Sequence, residues 1–311
     1  MKEIISLNTI RKVLSNTEYL GDDCANLKEL GIAVTQDTLV ENVHFSMKYC
    51  NAYQLGYKAI VVNLSDLFAA GAKPEYISIS LSLPPDTTED FIHDFYKATD
   101  ELAKNYDFKV IGGDITGSEK IVISICAIGK TKNRNISSRA FAKEGYTVIV
   151  TGEHGSSSAG LELLQSGKFN EKFINAHLMP KISSEFSEEI STKTSKPYAM
   201  ADSSDGLADA LFKIAESSNV TICVDFDKIP YEKDLEQFDY KKKILFGGED
   251  YKLVASVDKT ELEKISSNLY NNRADELRLQ RIINNPPRGI GGKTLEMAQR
   301  QAAAAGVPLY T

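Results

Sequence analysis

The sequence predicts an α+β fold in two domains, and three observations carry that prediction. The chain has 311 residues, room for two cores at roughly 100–200 residues per domain. Short runs rich in β-branched residues recur along it. Helical patterns lie between them without the regular strand–helix rhythm of a doubly wound sheet, which favours a mixed or antiparallel sheet in each half.

Residues 31–37 (GIAVTQD) read as a strand ending at an acid. Residues 53–70 keep an apolar stripe that stops at Gly71, with Pro74 just beyond, a helix C-terminal signal. Residues 76–83 (YISISLSL) alternate with period two, so Ile77, Ile79, Leu81 and Leu83 share a face. Residues 86–105 open with Asp-Thr-Thr-Glu, a capped helix start. Residues 120–128 (KIVISICAI) repeat the strand pattern, and a dimer through these two apolar faces is expected. The apolar-poor stretch 130–138 (KTKNRNISS) reads as the linker, giving domains 1–138 and 139–272. Strands follow at 146–151, 220–226 and 251–257, and helices at 159–166, 205–218 and 259–270. Ahead of the helix at 159–166, GEHGSSS reads as a Ser N-cap in preference to a phosphate cradle.

Residues 273–311 form an atypical tail. They use Arg five times and Lys once, whereas the first 272 residues use Lys 27 times and Arg three times, which marks the tail as foreign. Pro286-Pro287 and the glycines at 289–292 break any long element, so at most a short helix near 293–305 is expected. The sheet edge beside the tail should then lie open. GIGGKT at 289–294 is not a P-loop, because Pro287 stands where the first glycine is needed.

Composition excludes several classes. A net charge of −7 with no basic block argues against nonspecific nucleic-acid binding. The four cysteines are far apart and form no C-x-x-C pair, which argues against a zinc site and a disulfide framework. MKEIISLNTIRKVL lacks the long apolar stretch of a signal peptide, and no window approaches the roughly 20 apolar residues of a membrane span. A cytoplasmic protein is expected.

The chemical signal is a series of acids at the ends of apolar runs or beside glycine. They are Asp22 and Asp23 in GDDCANL, Asp37 in VTQDTLVENVHF, Asp66 in VVNLSDLFAAGAKP and Asp114 in IGGDITG. Asp202 and Asp205 follow in ADSSDGLADA, and Glu249 and Asp250 in FGGEDYKL. Any one of them alone reads as a turn or an N-cap. Together, oxygen ligands without His or Cys partners suit a hard cation, and Mg²⁺ completes its shell with water and phosphate oxygens.

These segments, with TQDTLVENVHF, YKAIVVNLSDLFAAGAKP, VTGEHGSSSAGLELL and DSSDGLADAL, occur in the order and near the spacing of the thiamine-monophosphate kinase family, which residues 1–257 resemble. The resemblance implies an N-terminal domain that dimerises through its sheet and an α/β C-terminal domain. It implies transfer of a phosphoryl group from ATP to thiamine monophosphate, with Mg²⁺ held by Asp23, Asp37, Asp66, Asp114, Asp202 and Asp205. Thr35 matches a hydroxyl ligand position, and Gln36 stands where the family has Thr. Gly113, Asp114, Arg139 and Ser204 match ATP-contacting positions. His44 and Glu249 match positions that contact thiamine monophosphate, with a strand-end cap as the plainer reading of His44. Ile115 and Ser203 depart from the family's pattern, and the family's C-terminal aromatic has no match, since Tyr310 lies in the tail. No residue reads as an activated nucleophile, so direct in-line transfer is expected. Two alternatives stand beside it: another ATP-using member of the superfamily, and a nucleotide-binding but inactive fusion or paralogue. The tail itself resembles a fragment of a UvrD-type DNA helicase that holds no complete helicase site.

Overall fold

The computed structural model describes residues 3–269 and 279–282. Two compact units divide the chain, and the larger is Gly21–Asn284. The other includes the helix α1 (Glu3–Val13), which carries Arg11 and Lys12 in its last turn. Cations there offset the partial negative charge of a helix C-terminus.

The larger unit contains two sheets. The first holds β1 (Ala25–Leu27), β2 (Ile32–Val40), β3 (Lys73–Leu83), β4 (Lys109–Gly117) and β5 (Val122–Lys130), in the order β1-β2-β5-β3-β4. Its pairs are antiparallel except β3 with β4, which α3 (Glu89–Tyr106) joins as a crossover. The second holds β6 (Thr147–Thr151), β7 (Ala199–Asp202), β8 (Leu253–Val257) and β9 (Leu279–Ile282), antiparallel throughout, in the order β7-β8-β6-β9. Around it run α4 (Ser156–Ser166), α5 (Glu171–Leu178), α6 (Ser184–Lys193), α7 (Leu207–Ser218), α8 (Tyr240–Phe246) and α9 (Lys259–Leu269). A mixed sheet and an antiparallel sheet, each with helices, make the α+β fold that the sequence predicts.

The helix α2 (Ala52–Ala70) lies in the core that joins the two sheets. A capping box starts it: Gln54 N–H donates to Asn51 Oδ1 (2.8 Å), and Asn51 N–H donates to Gln54 Oε1 (3.1 Å). Gly71 ends it at φ +80°, where a Cβ would also lie 2.6 Å from the Tyr198 hydroxyl. Nearly all of α2 is buried, so the polar side chains Lys58, Asn63, Ser65 and Asp66 need partners inside the protein. A second core packs α4, α7 and α8 on the far face of the β6–β8 sheet.

Several expectations change. The apolar faces of β3 and β5, with Ile77, Ile79, Leu81, Ile123 and Ile125, are buried in the chain's own core. They therefore offer no surface to a second copy. Residues 220–225 form no strand and lead into a 3-10 turn at Phe226–Lys228; Val220 and Ile222 pack half-buried on the second core instead. The helix expected to open at residue 86 starts at Glu89, capped by Thr88, whose Oγ1 accepts from Phe91 N–H (3.2 Å).

The polar stretch 130–138 is a wired connection. Arg134 Nε donates to Gly71 O (2.7 Å), Asn135 Nδ2 to Thr194 Oγ1 (2.9 Å), and Ser137 Oγ to Ala69 O (2.6 Å). Its polarity serves buried carbonyls rather than solvent. In the tail, Leu279–Ile282 pairs with β6, so that sheet edge is covered by a strand rather than left open. The helix expected near 293–305 and Tyr310 lie outside the described residues.

Candidate active site

The acids converge because three elements end at one place. β2 carries Thr35 and Asp37 on the face turned to α2, α2 carries Asp66, and β7 ends at Asp202. Thr35 Oγ1 donates to Asp66 Oδ2 (2.6 Å), and Asn63 Oδ1 accepts from Asp37 N–H (3.1 Å). Ser65 Oγ donates to Asp202 Oδ2 (2.6 Å), which ties α2 to the second sheet. Asp202 Oδ1 accepts from both N–H (3.3 Å) and Oγ (2.9 Å) of Ser204, closing an Asx turn at the mouth of α7. Asp23, Asp66 and Asp202 each place a carboxylate oxygen within 4.8 Å of the others.

Such crowding has an electrostatic signature. Burial, opposed by Arg139 and reinforced by Asp202, pushes the Asp23 carboxyl up to about 7. Burial with Asp202 and Asp205 pushes Asp37 up to about 6. Burial with Asp202, Asp37 and Asp23 holds Asp66 well above the usual carboxylate range. Like charges in a low-dielectric site resist joint ionisation, so the group favours a proton or a cation. Arg139 supplies one internal cation: its Nη2 bonds Asp23 Oδ1, its Nη1 donates to Gly21 O (3.1 Å), and its backbone N–H donates to Asp22 Oδ1 (2.7 Å).

The other expected residues are placed as follows. Asp205 is exposed and paired with Lys213 (3.2 Å), yet it bears on Asp37 through space. Gln36 is exposed, and strand alternation puts its side chain on the face opposite Thr35 and Asp37. Asp114 is exposed on the edge strand β4, opposite Ser80, which is opposite Ser124 and then Thr38. That row points away from the face of Asp37, so Asp114 is not brought to the three clustered acids. Gly113 lies opposite Ile79 at φ +156°, where a Cβ would come 1.6 Å from Ile79 O. His44 is exposed, and its Nδ1 accepts from Val40 N–H (3.0 Å) at the end of β2, the strand-end cap that the sequence also allowed. Ser203 is buried, and its Oγ accepts from Lys252 N–H (3.0 Å).

The GGED segment folds over this site. Glu249 N–H donates to Ser204 O (2.6 Å), and a Cβ on Gly248 would lie 2.7 Å from that same oxygen. Glu249 (φ +67°) and Tyr251 (φ +51°) take left-handed conformations on either side of Asp250. Asp250 is buried, and its two oxygens accept from Gly155 N–H (2.6 Å) and Ser157 N–H (2.9 Å). The N-cap of α4 is Gly155 without a side-chain cap; Asp250 caps the helix from across the fold. The expected Ser cap is thereby corrected, and the anion position at this helix N-terminus is filled by a carboxylate of the chain itself. Sequence reasoning missed Asn63, Ser65 and Lys58, whose signal is polarity inside the apolar run AIVVNLSDLFAA and its flank. It also missed His177, for which the sequence offers no local signal.

A two-sheet α+β fold with acids gathered at the junction places the chain in the class of AIR synthase related proteins. Residues 21–131 match the AIR synthase related protein, N-terminal domain, and residues 143–272 the C-terminal domain. Thiamine-monophosphate kinase from Bacillus subtilis (strain 168) is 37% identical over 260 residues, covering 78% of this chain and 78% of that protein. The enzyme of the same name from Aquifex aeolicus (strain VF5) is 35% identical over 263 residues, covering 80% and 83%. The solved structure of AaThiL complexed with AMPPCP and TMP superposes with a TM-score of 0.80 at 32% identity, covering 90% of this chain and 89% of that one. The chain belongs to the thiamine-monophosphate kinase family.

Proposed function

We propose that the chain transfers the γ-phosphoryl group of ATP to thiamine monophosphate, giving thiamine diphosphate and ADP. The convergence of Asp23, Asp66 and Asp202 carries this reading, supported by the relative complexed with AMPPCP and TMP. The donor set fits a hard cation: the clustered atoms are all carboxylate oxygens, and their mutual repulsion is relieved by positive charge. Asp23, Asp66 and Asp202, with Asp37, Asp205 and the Thr35 hydroxyl beside them, would hold Mg²⁺. Bound there, Mg²⁺ supplies neutralisation of the polyphosphate oxygens and of charge on the transferring group.

The chain's own groups do the positioning. Arg139 keeps a permanent positive charge at Asp23, where the polyphosphate would lie. Ser204 is fixed by Asp202, so its hydroxyl has a set place at the nucleotide. Gly113 lets backbone approach on β4 without a side chain. His44 and Glu249 mark the acceptor end.

The thiol nearest the acids, Cys24, is buried and held protonated by its burial and by Asp66 and Asp23, so it is no nucleophile. One direct displacement follows: an acceptor phosphate oxygen forms the new P–O bond as the bond to ADP breaks. The acceptor phosphate is already anionic at neutral pH and needs no strong base.

Among the described residues no helix is long and apolar enough to cross a membrane. We read the protein as a cytoplasmic homodimer that takes no nucleic acid. The test is incubation with γ-labelled ATP, Mg²⁺ and thiamine monophosphate. Label should appear in thiamine diphosphate without a labelled protein; a labelled protein that chases into product would replace the direct step with a covalent one.

A further inference from the structure

Behind Glu249 lies a group of buried polar side chains that the phosphoryl-transfer site does not otherwise use. Lys58 on α2 is 3% exposed, and its Nζ is 2.9 Å from Glu249 Oε1. The approach is off the hydrogen-bond line, so the contact is ionic rather than an aligned bond. His177 on α5 is 1% exposed. Its Nδ1 is 3.4 Å from Glu249 Oε2 and 3.1 Å from Ser157 Oγ, and the Tyr49 ring meets it edge-on at 6.3 Å between centroids.

The chemistry of these groups orders them. Burial and Lys58 push His177 down to about 3, so its ring is neutral at neutral pH. Nε2 is buried without a partner. A proton there would strand a buried donor and turn the Nδ1 lone pair towards a carboxylate oxygen, so Nδ1 carries the hydrogen. Lys58 and His177 thus face the two oxygens of one carboxylate, Lys58 as a cation and His177 as a neutral ring whose Nδ1 is hydrogen-bonded to Ser157 Oγ. Glu249 sits on left-handed backbone, a strained conformation that persists only where its surroundings over-determine it. Its neighbour Asp250 is pinned to α4. The Glu249 side chain is 26% exposed, so part of the carboxylate remains open.

One helix links this group to the acids. Lys58 precedes Ser65, the partner of Asp202, by seven residues, about 10.5 Å along α2 at 1.5 Å per residue. The metal end and the Glu249 end of the site are therefore set by the same rigid element. A carboxylate repels a phosphate and attracts a cation, and the thiazolium ring of thiamine monophosphate is a permanent cation.

We propose that Lys58 and His177 are positioning residues for the acceptor: they fix the Glu249 carboxylate so that its open part receives the cationic heterocycle of thiamine monophosphate. This rests on the reading of Glu249 as an acceptor contact.

The experiment is a double-mutant cycle with Lys58→Met and Glu249→Gln, alongside His177→Asn and His177→Phe. The readouts are the KM for thiamine monophosphate, kcat, and the affinity for Mg-AMPPCP. Lys58→Met should raise the KM about tenfold with kcat and Mg-AMPPCP affinity little changed, and should add nothing in the Glu249→Gln background. His177→Phe should behave like Lys58→Met, while His177→Asn, which keeps a donor near Nδ1, should restore most of the affinity. An unchanged KM in Glu249→Gln would overturn the reading of Glu249 and the proposal with it. A raised KM in Glu249→Gln, with Lys58→Met either silent or fully additive, would overturn the positioning role alone.

Discussion

Asp66 meets three other carboxylates across a buried junction, and its own hydrogen bond from Thr35 does not offset the crowding. A cation resolves the conflict, and binding it must displace protons held at Asp23 (about 7) and Asp37 (about 6). Titration of Mg²⁺ into the protein at pH 6.5, followed by calorimetry in buffers of different ionisation enthalpy, should show proton release that is smaller at pH 8.5. Asp66→Asn removes one of the competing charges. Its Mg-nucleotide affinity should fall at least tenfold, about 1.4 kcal/mol, while the metal-free variant melts no lower than the parent in a thermal scan. The acids were legible at this scale because each sits in a distinctive local string. Lys58 and His177 were not, since they meet Glu249 only through α2 and α5, far from it in sequence.

At the scale of elements, α4 depends on a carboxylate that the chain delivers from beyond β7. Asp250→Ala should leave two helix N-terminal N–H groups without a partner and free the Glu249 loop. A loss of about 1–3 kcal/mol by denaturant unfolding is expected. The loop before α4 also holds His154, which is 0% exposed with both ring nitrogens unpartnered; burial, then Lys252, pushes it down to about 3. Its folded value lies below the ordinary 6.5 of the unfolded chain, so its stability contribution is complete above about pH 6.5 and is lost as pH falls towards 3. At pH 5 the loss is about 2 kcal/mol. His154→Leu should therefore lose less melting temperature between pH 7 and pH 5 than the parent.

Period-two alternation revealed β3 and β5, because one face of each is buried. It failed at β4, where Gly112 and Gly113 carry positive φ and every residue is exposed. It misled at 220–226, where the apolar residues pack singly with no strand beside them.

The whole molecule places α2 in the core between two sheets, so one helix sets both ends of the site. Fold class was readable from the order of short elements, but not which faces they cover. The apolar faces first assigned to a dimer are consumed by the core, whereas the edge strand β4 exposes three apolar side chains in a row of nine residues: Val110, Ile111 and Ile115, the last 65% exposed. An open edge with apolar side chains suits pairing with a second copy. Ile111→Lys should give a monomer by light scattering where the parent gives a dimer; a parent that is monomeric at micromolar concentration would refute this pairing. The sheet edge beside the tail was misread as open because composition says little about backbone pairing, and β9 joins β6 all the same.

The most direct test of the central claim is the rate of thiamine diphosphate formation from thiamine monophosphate and ATP, for the parent and for Asp202→Asn. Asp202 joins the metal acids, α2 through Ser65 and the nucleotide turn through Ser204. The parent should turn over only with Mg²⁺, and Asp202→Asn should fall about a hundredfold or more in kcat. A parent without product at saturating substrates, or an Asp202→Asn variant at the parental rate, would contradict the account.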